Sequence, residues 1–423
     1  MKQTITSVLK GALEEAGPPA EYLELIKKSL KEFLDKFEKK LKKLGVDAEI
    51  FLGGSYAKDT MIKKKEYDID IFLRHKGNKK DISALTKKAL KGFDFKTVHG
   101  SRDYFQVKIT KDLLFEIIPV KKVGKPKDAE NITDLSYSHV KYIRKKVRPK
   151  SILDEIKLAK VFCYANRCYG AESYINGFSG YALELLVYHY KSFLKFIRAM
   201  SKIEDKTVID IEKLHKNKQS VLMDLNSSKL GSPIILIDPT YKQRNAAAAL
   251  SDETFKNFQK ICKQFLNHPS PKAFELKKID FGVLLLDAHR KKLDTILIEA
   301  KTTRQAGDIA GSKLLKFQRH LIQELRKFFD VKKEEFDYGG EKSAKYFFSA
   351  QAKKEILLTG PSIKDKKNVA QFKKRHKKTF VKKGRIYSKK KVDFGLKEFL
   401  GKWKVKNHKR MKEMGIEELN FIS

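Results

Sequence analysis

Residues 51–72 read FLGGSYAKDTMIKKKEYDIDIF, and this stretch decides the fold. Near its end an apolar run is broken at alternate positions by Asp68 and Asp70. Strand side chains alternate between faces, so both carboxylates share one face while Ile69 and Ile71 point to the other, towards a core. Two carboxylates side by side repel unless a cation lies between them. Mg²⁺ is usually held by one or two carboxylates together with substrate phosphates. Ahead of them, Gly53 and Gly54 let backbone N–H groups close on a phosphate, and Ser55 adds a hydroxyl. The residues point to nucleotide handling.

Working outward, Ile26, Leu30, Phe33, Phe37, Leu41 and Leu44 recur at helical spacing over 21–44, and Gly45 ends the run. Val46, Ala48, Ile50 and Leu52 then alternate with polar or aromatic residues as a strand entering the glycine turn. A helix is expected over 82–90 and strands over 104–110 and 113–120. In the second strand, LLFEIIPV, Glu116 is a lone acid. An acid in such a run costs free energy unless it is paired or bound to metal. A salt bridge to a lysine explains Glu116 alone equally well. If this strand lies beside the first, Glu116 becomes a third carboxylate next to Asp68 and Asp70. Three carboxylates with two Mg²⁺ ions form a site for nucleotidyl transfer, one ion lowering the pKa of an attacking hydroxyl and the other holding a triphosphate.

The 423 residues suffice for about three domains. Lys and Arg number 92 against 52 Asp and Glu, a net charge of +40. Such an excess goes well beyond solubility and points to a polyanion, nucleic acid first. No apolar run is long enough to span a bilayer. The first residues lack an apolar signal core, which gives a cytoplasmic expectation. Cys163, Cys168 and Cys262 have neither zinc-ligand spacing nor a disulfide framework.

Further along, helices are expected over 151–167 and 177–197, a polar excursion over 202–230, and a helix starting at Asn245 just after Arg244. Residues 281–286 and 295–300 read as strands, 313–328 as a helix, and 346–350 and 355–359 as strands. Lys373, Lys374, Arg375, His376, Lys377 and Lys378 form a basic run between Phe372 and Phe380, and Arg385 follows beside Ile386 and Tyr387. Basic residues interleaved with aromatics suit structured RNA.

GGSYAKDT followed by DIDIF resembles the signature of the DNA polymerase β-like nucleotidyltransferase superfamily. With FEIIPV, DLSYSHVKYI (134–143), CYGAESYINGFSGYALELLVYHYKSF (168–193) and IILIDPTYKQRNAAAALS (234–251), the chain is similar to the archaeal, class I CCA-adding tRNA nucleotidyltransferases over most of its length. It departs from them in having Glu116 where Asp is more frequent and Ser136-Tyr137 where Thr-Pro is usual. HGSRDYFQVKI replaces another segment, with Arg102 and Tyr104 as stand-ins. The resemblance implies an α+β multidomain fold: a nucleotidyltransferase head (1–150), a helical neck (151–270), an α+β body (271–340 and 395–423) and a basic tail (341–394). It implies metal ligation by Asp68, Asp70 and Glu116. Nucleotide contacts would come from Gly54, Ser55, Lys58, Ser136, His139, Lys160, Tyr169 and Arg244. Lys160 and Tyr169 can share a site only if the helix ends before Tyr169, because nine residues of continuous helix turn by about 900°. Expected substrates are CTP, ATP and tRNA, with tRNA gripped by Lys373, Lys374, Arg375, Lys377, Lys378 and Arg385. A homodimer is one option for assembly. The alternatives are a poly(A) polymerase or oligoadenylate synthetase-like enzyme, and an inactive RNA-binding relative.

Overall fold

The computed structural model describes residues 4–76, 81–100, 102–376 and 378–422. The chain forms two compact units, one up to Lys277 and one from Lys278.

The first unit opens with α1 (Ile5–Glu14) and α2 (Ala20–Lys43). Helix α2 starts after Pro19 and buries Ile26, Leu30, Phe33, Phe37 and Leu41 along one stripe. Beside it lies a sheet of β1 (Ala48–Leu52), β2 (Tyr67–His75), β3 (Phe95–Val98), β4 (Tyr104–Lys108) and β5 (Leu113–Lys121), in the order β1-β2-β5-β4-β3, with α3 (Ile82–Ala89) between β2 and β3. Strands β2 and β5 are parallel; the other neighbours are antiparallel. Ile69, Ile71, Phe105, Val107, Phe115 and Ile117 join the α2 stripe in one core. The period-2 apolar positions therefore face the helices, and the acids between them face away from that core.

A second core lies among α4 (Ser136–Lys146), α5 (Lys150–Ala165), α6 (Gly180–Tyr190), α7 (Phe193–Met200) and α9 (Asp252–Asn267). The single helix expected over 177–197 is two helices. Lys191 adopts φ 68° at the end of α6, and Ser192 caps α7 by accepting from Lys195 N at 3.2 Å. The polar 202–230 stretch is not a bare excursion: β6 (Thr207–Ile209) pairs in parallel with β7 (Ile234–Asp238), and α8 (Lys218–Asp224) lies between them in sequence. The helix expected from Asn245 is also corrected. Residues 241–245 form β8, antiparallel to β7, and α9 begins only at Asp252 behind its Ser251 cap. The Asn245 side chain accepts from Leu236 N and Ala247 N, both at 2.9 Å, which pins the segment before it can coil.

In the second unit, 281–286 is helical, not a strand. Asp280 accepts from Val283 N at 3.0 Å and starts α10 (Phe281–Arg290). An apolar run this short fits either element, and the cap decides. Next come β9 (Asp294–Thr302), α11 (Asp308–Leu325), β10 (Phe329–Tyr338) and β11 (Ser343–Ala352). After them come β12 (Glu355–Ser362), α12 (Lys366–Arg375), β13 (Thr379–Lys382), β14 (Arg385–Lys391), α13 (Leu396–Lys406), α14 (His408–Glu413) and β15 (Ile416–Phe421). One sheet runs β10-β11-β9-β15 and another β12-β14-β13. Strand β11 thus sits inside the body sheet although its residues fall within 341–394. Among the described residues no helix is long and apolar enough to cross a membrane.

Trp403 is the chain's one tryptophan, 6% exposed and 6.1 Å from Phe317 by ring centroids. Its fluorescence reports the second unit alone. Trp403→Phe should cost about 1–2 kcal/mol and Trp403→Ala about 3–5 kcal/mol in urea unfolding of that unit followed by circular dichroism.

Candidate active site

Strand β1 runs into a tight turn, and Gly53 N donates to Asp70 O at 2.9 Å. Gly54 has φ 60°, and a Cβ there would lie 1.7 Å from Asp70 Oδ2. Only glycine lets the turn pass this close to the carboxylate. The β2–β5 register sets Asp70 directly opposite Glu116, so the third acid is level with the first pair. Glu116 accepts from Gln106 Nε2 at 2.6 Å, and Asp68 stands 3.9 Å from Lys64 Nζ. Burial, then the charge of Asp68, pushes the Asp70 carboxyl up to about 7. Burial, then Asp70 and Asp68, pushes Glu116 up to about 8. Among the described residues no three His, Cys, Asp or Glu side chains stand in a geometry that would hold a metal ion. The chemistry of the donor set nevertheless fits a hard divalent cation: every donor is a carboxylate oxygen, and the acids oppose one another's ionisation until a cation offsets them.

Behind the turn lies a residue that the sequence reading did not single out. Glu184 on α6 is fully buried; it accepts from Lys58 Nζ at 2.6 Å, Lys160 Nζ at 2.8 Å and Thr60 Oγ1 at 2.8 Å. Burial pulls its carboxyl upward, but Lys160 and Lys58 outweigh it and hold the group at about 2. Burial lowers Lys160 to about 8, with Glu184 opposing the fall. The signal was present in GYALELLVYHY: a lone acid in an apolar helix, the same anomaly that marked Glu116. Lys58 and Lys160 are therefore neighbours, with Lys160 turned to Glu184 and to Thr60. Helix α5 does end before Tyr169, at Ala165, and Arg167 and Gly170 take φ 57° and 127°. The chain doubles back, and Gly180 leaves room for both groups: a Cβ there would lie 3.0 Å from the Tyr169 hydroxyl and 3.7 Å from Lys160 Nζ. Ser55, Thr60, Lys64, Asp68 and Tyr169 line one small cleft.

Asp238 organises a second group. Not singled out in the sequence, it is fully buried and accepts from Arg244 Nη1 at 2.6 Å, Tyr181 Oη at 3.1 Å, and Thr240 N and Oγ1 at 2.8 Å. His139 Nε2 stands 2.9 Å from its other side. Although burial opposes it, His139 and Arg244 hold the Asp238 carboxyl far below the usual range. Burial lowers His139 in turn. The His139 ring stacks on Tyr181 at 4.2 Å. Ser136 opens α4, one turn before His139. His139 and Arg244, separated by about a hundred residues, thus meet on one carboxylate. Arg244 does so from strand β8, not from a helix start. Arg102 bonds to Asp134 and to Pro119 O, a structural tie at the end of β5.

The described tail basics are divided between two elements and the loop between them. Lys373, Lys374 and Arg375 are on α12, whereas Arg385 is on β14. The β14 face carrying Ile386 meets α12, since Gly360 lies against both Ile386 and Phe372. By alternation Arg385 and Tyr387 face the other way. Lys378 lies between α12 and β13, and Lys377 lies outside the described residues.

Residues 31–158 match the family model described as nucleotidyltransferase domain, the class that this sheet and its three acids define. Residues 154–275 match the model for the second domain of tRNA nucleotidyltransferase. The CCA-adding enzyme of Nanoarchaeum equitans is 34% identical over 80% of this chain and 83% of its own length. That of Archaeoglobus fulgidus is 27% identical over 91% and 86%. The chain belongs to the CCA-adding enzyme family. Among solved structures, a cytoplasmic RNA terminal U-transferase (TM-score 0.51, 15% identity, 65% of this chain and 99% of that one) and the Cid1 poly(U) polymerase (0.51, 14%, 66% and 100%) share the fold.

Glu184→Gln would leave two buried lysines without their carboxylate and should cost about 3–5 kcal/mol in urea unfolding at neutral pH. Glu184 is held at about 2, below its ordinary 4.5, so its contribution is present above pH 4.5 and is lost as the pH falls towards 2. The gap between wild type and Glu184→Gln should close over that interval. Gly54→Ala should displace Asp70 and lower nucleotidyl transfer about a hundredfold or more, read in single-turnover rates.

Proposed function

We propose that the protein adds C, C and A in turn to the 3′ end of tRNA, without a nucleic-acid template, using CTP and ATP. The observation that carries this reading is the β2–β5 register, which brings Glu116 level with Asp70 beneath the Gly54 turn. The tRNA 3′-hydroxyl attacks the α-phosphate; the new O–P bond forms as the bond to pyrophosphate breaks. We take the metal to be Mg²⁺: Asp68 and Asp70 would hold two ions, and Glu116 would bind the one that activates the attacking hydroxyl. When bound, the ions lower that hydroxyl's pKa and offset charge on the triphosphate.

The chain's own groups then position the reactants. Backbone N–H groups at Gly54 and Ser55 receive phosphate oxygens. Lys58 and Lys160 bring positive charge, moderated by Glu184, and Tyr169 walls the nucleotide pocket. Arg244 and His139, steadied by Asp238, meet the base edge, with Ser136 on the same helix as His139. The neck, about 151–270, presents most of these side chains, and the basic tail, about 341–394, grips the RNA. These substrates suit a cytoplasmic setting.

The deciding experiment supplies Mg²⁺, CTP, ATP or both to tRNA transcripts ending before CCA, after C and after CC. Addition of C, C and A with a stop at CCA is expected. Long A tails would instead identify a poly(A) polymerase-like enzyme, and tight binding without extension an inactive RNA-binding relative. Mg²⁺ with CTP should raise the melting temperature of the wild type, and the rise should vanish in Asp68→Ala/Asp70→Ala. Replacing Lys373, Lys374, Arg375, Lys377 and Lys378 by Ala should weaken tRNA binding and flatten its salt dependence, by roughly one unit of slope for each phosphate no longer neutralised.

A further inference from the structure

Glutamate carries one more methylene than aspartate, and so one more turning bond between backbone and carboxylate. Of the three acids in the candidate site, Glu116 alone has that freedom. The sheet supplies what limits it. Strand β5 lies between β2 and β4, and its register sets Glu116 opposite Asp70 on one side and opposite Gln106 on the other. Lys96 of β3 stands opposite Gln106 in turn. Asp70, Glu116, Gln106 and Lys96 thus form one row across the sheet, on the face away from the α2 core. Side chains directly opposite across antiparallel strands have Cβ atoms about 4.5–5.5 Å apart, so Gln106 is the neighbour that β4 offers to Glu116.

The two side chains do meet. Gln106 Nε2 donates to Glu116 Oε1 at 2.6 Å. Among the described residues no ion pair of Glu116 is found, so the lysine partner that the sequence left open is not the one it has. An ammonium would offset the charge that draws a divalent cation. A neutral amide fixes one carboxylate oxygen and leaves the charge in place. The bond occupies Oε1, and Oε2 has no partner among the described residues. Gln106 is held in its turn: Phe105 and Val107 on either side of it are buried in the α2 core, and β4 is paired along both edges. It also separates Glu116 from Lys96 within the row.

We propose, on the reading of Asp68, Asp70 and Glu116 as metal ligands, that Gln106 is a positioning residue for CCA addition: its amide holds the Glu116 carboxylate in one rotamer beside Asp70, so that the two acids meet a divalent cation together. Gln106 touches no reacting atom. Without the amide, Glu116 keeps its charge and its place in the strand, but its side chain must be ordered each time a cation binds. Hydrogen-bonding partners of metal ligands are worth about 10–100-fold in metal affinity or activity.

The probe is Mn²⁺ alone, titrated into the full-length protein without nucleotide and read from the electron paramagnetic resonance signal of the free ion. The Asp68→Ala/Asp70→Ala protein supplies the baseline for binding elsewhere. Gln106→Met keeps the length of the side chain and removes the donor. Gln106→Leu removes it with a shorter, branched chain, and the folding of both is checked by thermal melting followed by circular dichroism. Each should bind Mn²⁺ at the site about 10–100-fold more weakly than the wild type. In a Glu116→Gln background there is no carboxylate to hold, and Gln106→Met should change the affinity by less than about twofold. Single-turnover addition of C to tRNA should slow in Gln106→Met and recover as Mg²⁺ is raised. Unchanged Mn²⁺ affinity in either folded variant would overturn the proposal, and so would an equal loss from Gln106→Met with and without the Glu116 carboxylate. A wild type that binds no more Mn²⁺ than Asp68→Ala/Asp70→Ala would sink the metal reading, and the role of Gln106 with it.

Discussion

The buried Glu184 carboxylate is the contact on which the candidate site depends. It joins the glycine turn, through Lys58 and Thr60, to α5 through Lys160 and to α6 through its own backbone. Three elements far apart in sequence converge on one pair of oxygens. Each ammonium alone would be a costly burial, and so would the carboxylate; together they satisfy one another. The arrangement turns both lysines to Glu184, while the charge of Lys58 still favours ionised Asp70. Among the described residues Lys64 approaches Asp68, to 3.9 Å.

Asp238 plays the corresponding part further from the sheet. A guanidinium, a backbone amide, a hydroxyl, a phenol and an imidazole surround a carboxylate that has no exposure of its own. The geometry fixes which way Arg244 and His139 present their remaining faces. Both centres follow one plan: a buried acid holds two basic side chains together.

Four strands of the sheet were legible in the sequence, because period-2 alternation and acids misplaced in apolar runs are local signals; the short β3 carries neither and was missed. The glycine turn, the Asp68–Asp70 face and the strand bearing Glu116 all stand where that pattern put them. What was not legible depends on partners distant in the chain. Glu184 and Asp238 acquire meaning only from Lys58, Lys160, His139 and Arg244. Helix boundaries failed for a related reason. The break at Lys191, the strand carrying Arg244 and the helix at Phe281 are each decided by a single polar side chain, Ser192, Asn245 or Asp280, bonding to a nearby backbone amide. Periodicity does not weigh such bonds.

Asp70 and Glu116 come from parallel strands held level by register, and parallel neighbours need a long connection. Residues 76–112 serve as that connection, through α3, β3 and β4. This divides the head into segments with different tolerance to insertion and deletion over evolutionary time. A residue gained or lost in the loops of the connection is absorbed there. The same event inside β5, ahead of Glu116, would turn the acid into the apolar core and bring a neighbouring phenylalanine or isoleucine to the polar face. Length variation in descendants of this chain should therefore collect in the crossover, while the nine residues of β2 and the nine of β5 keep a fixed count.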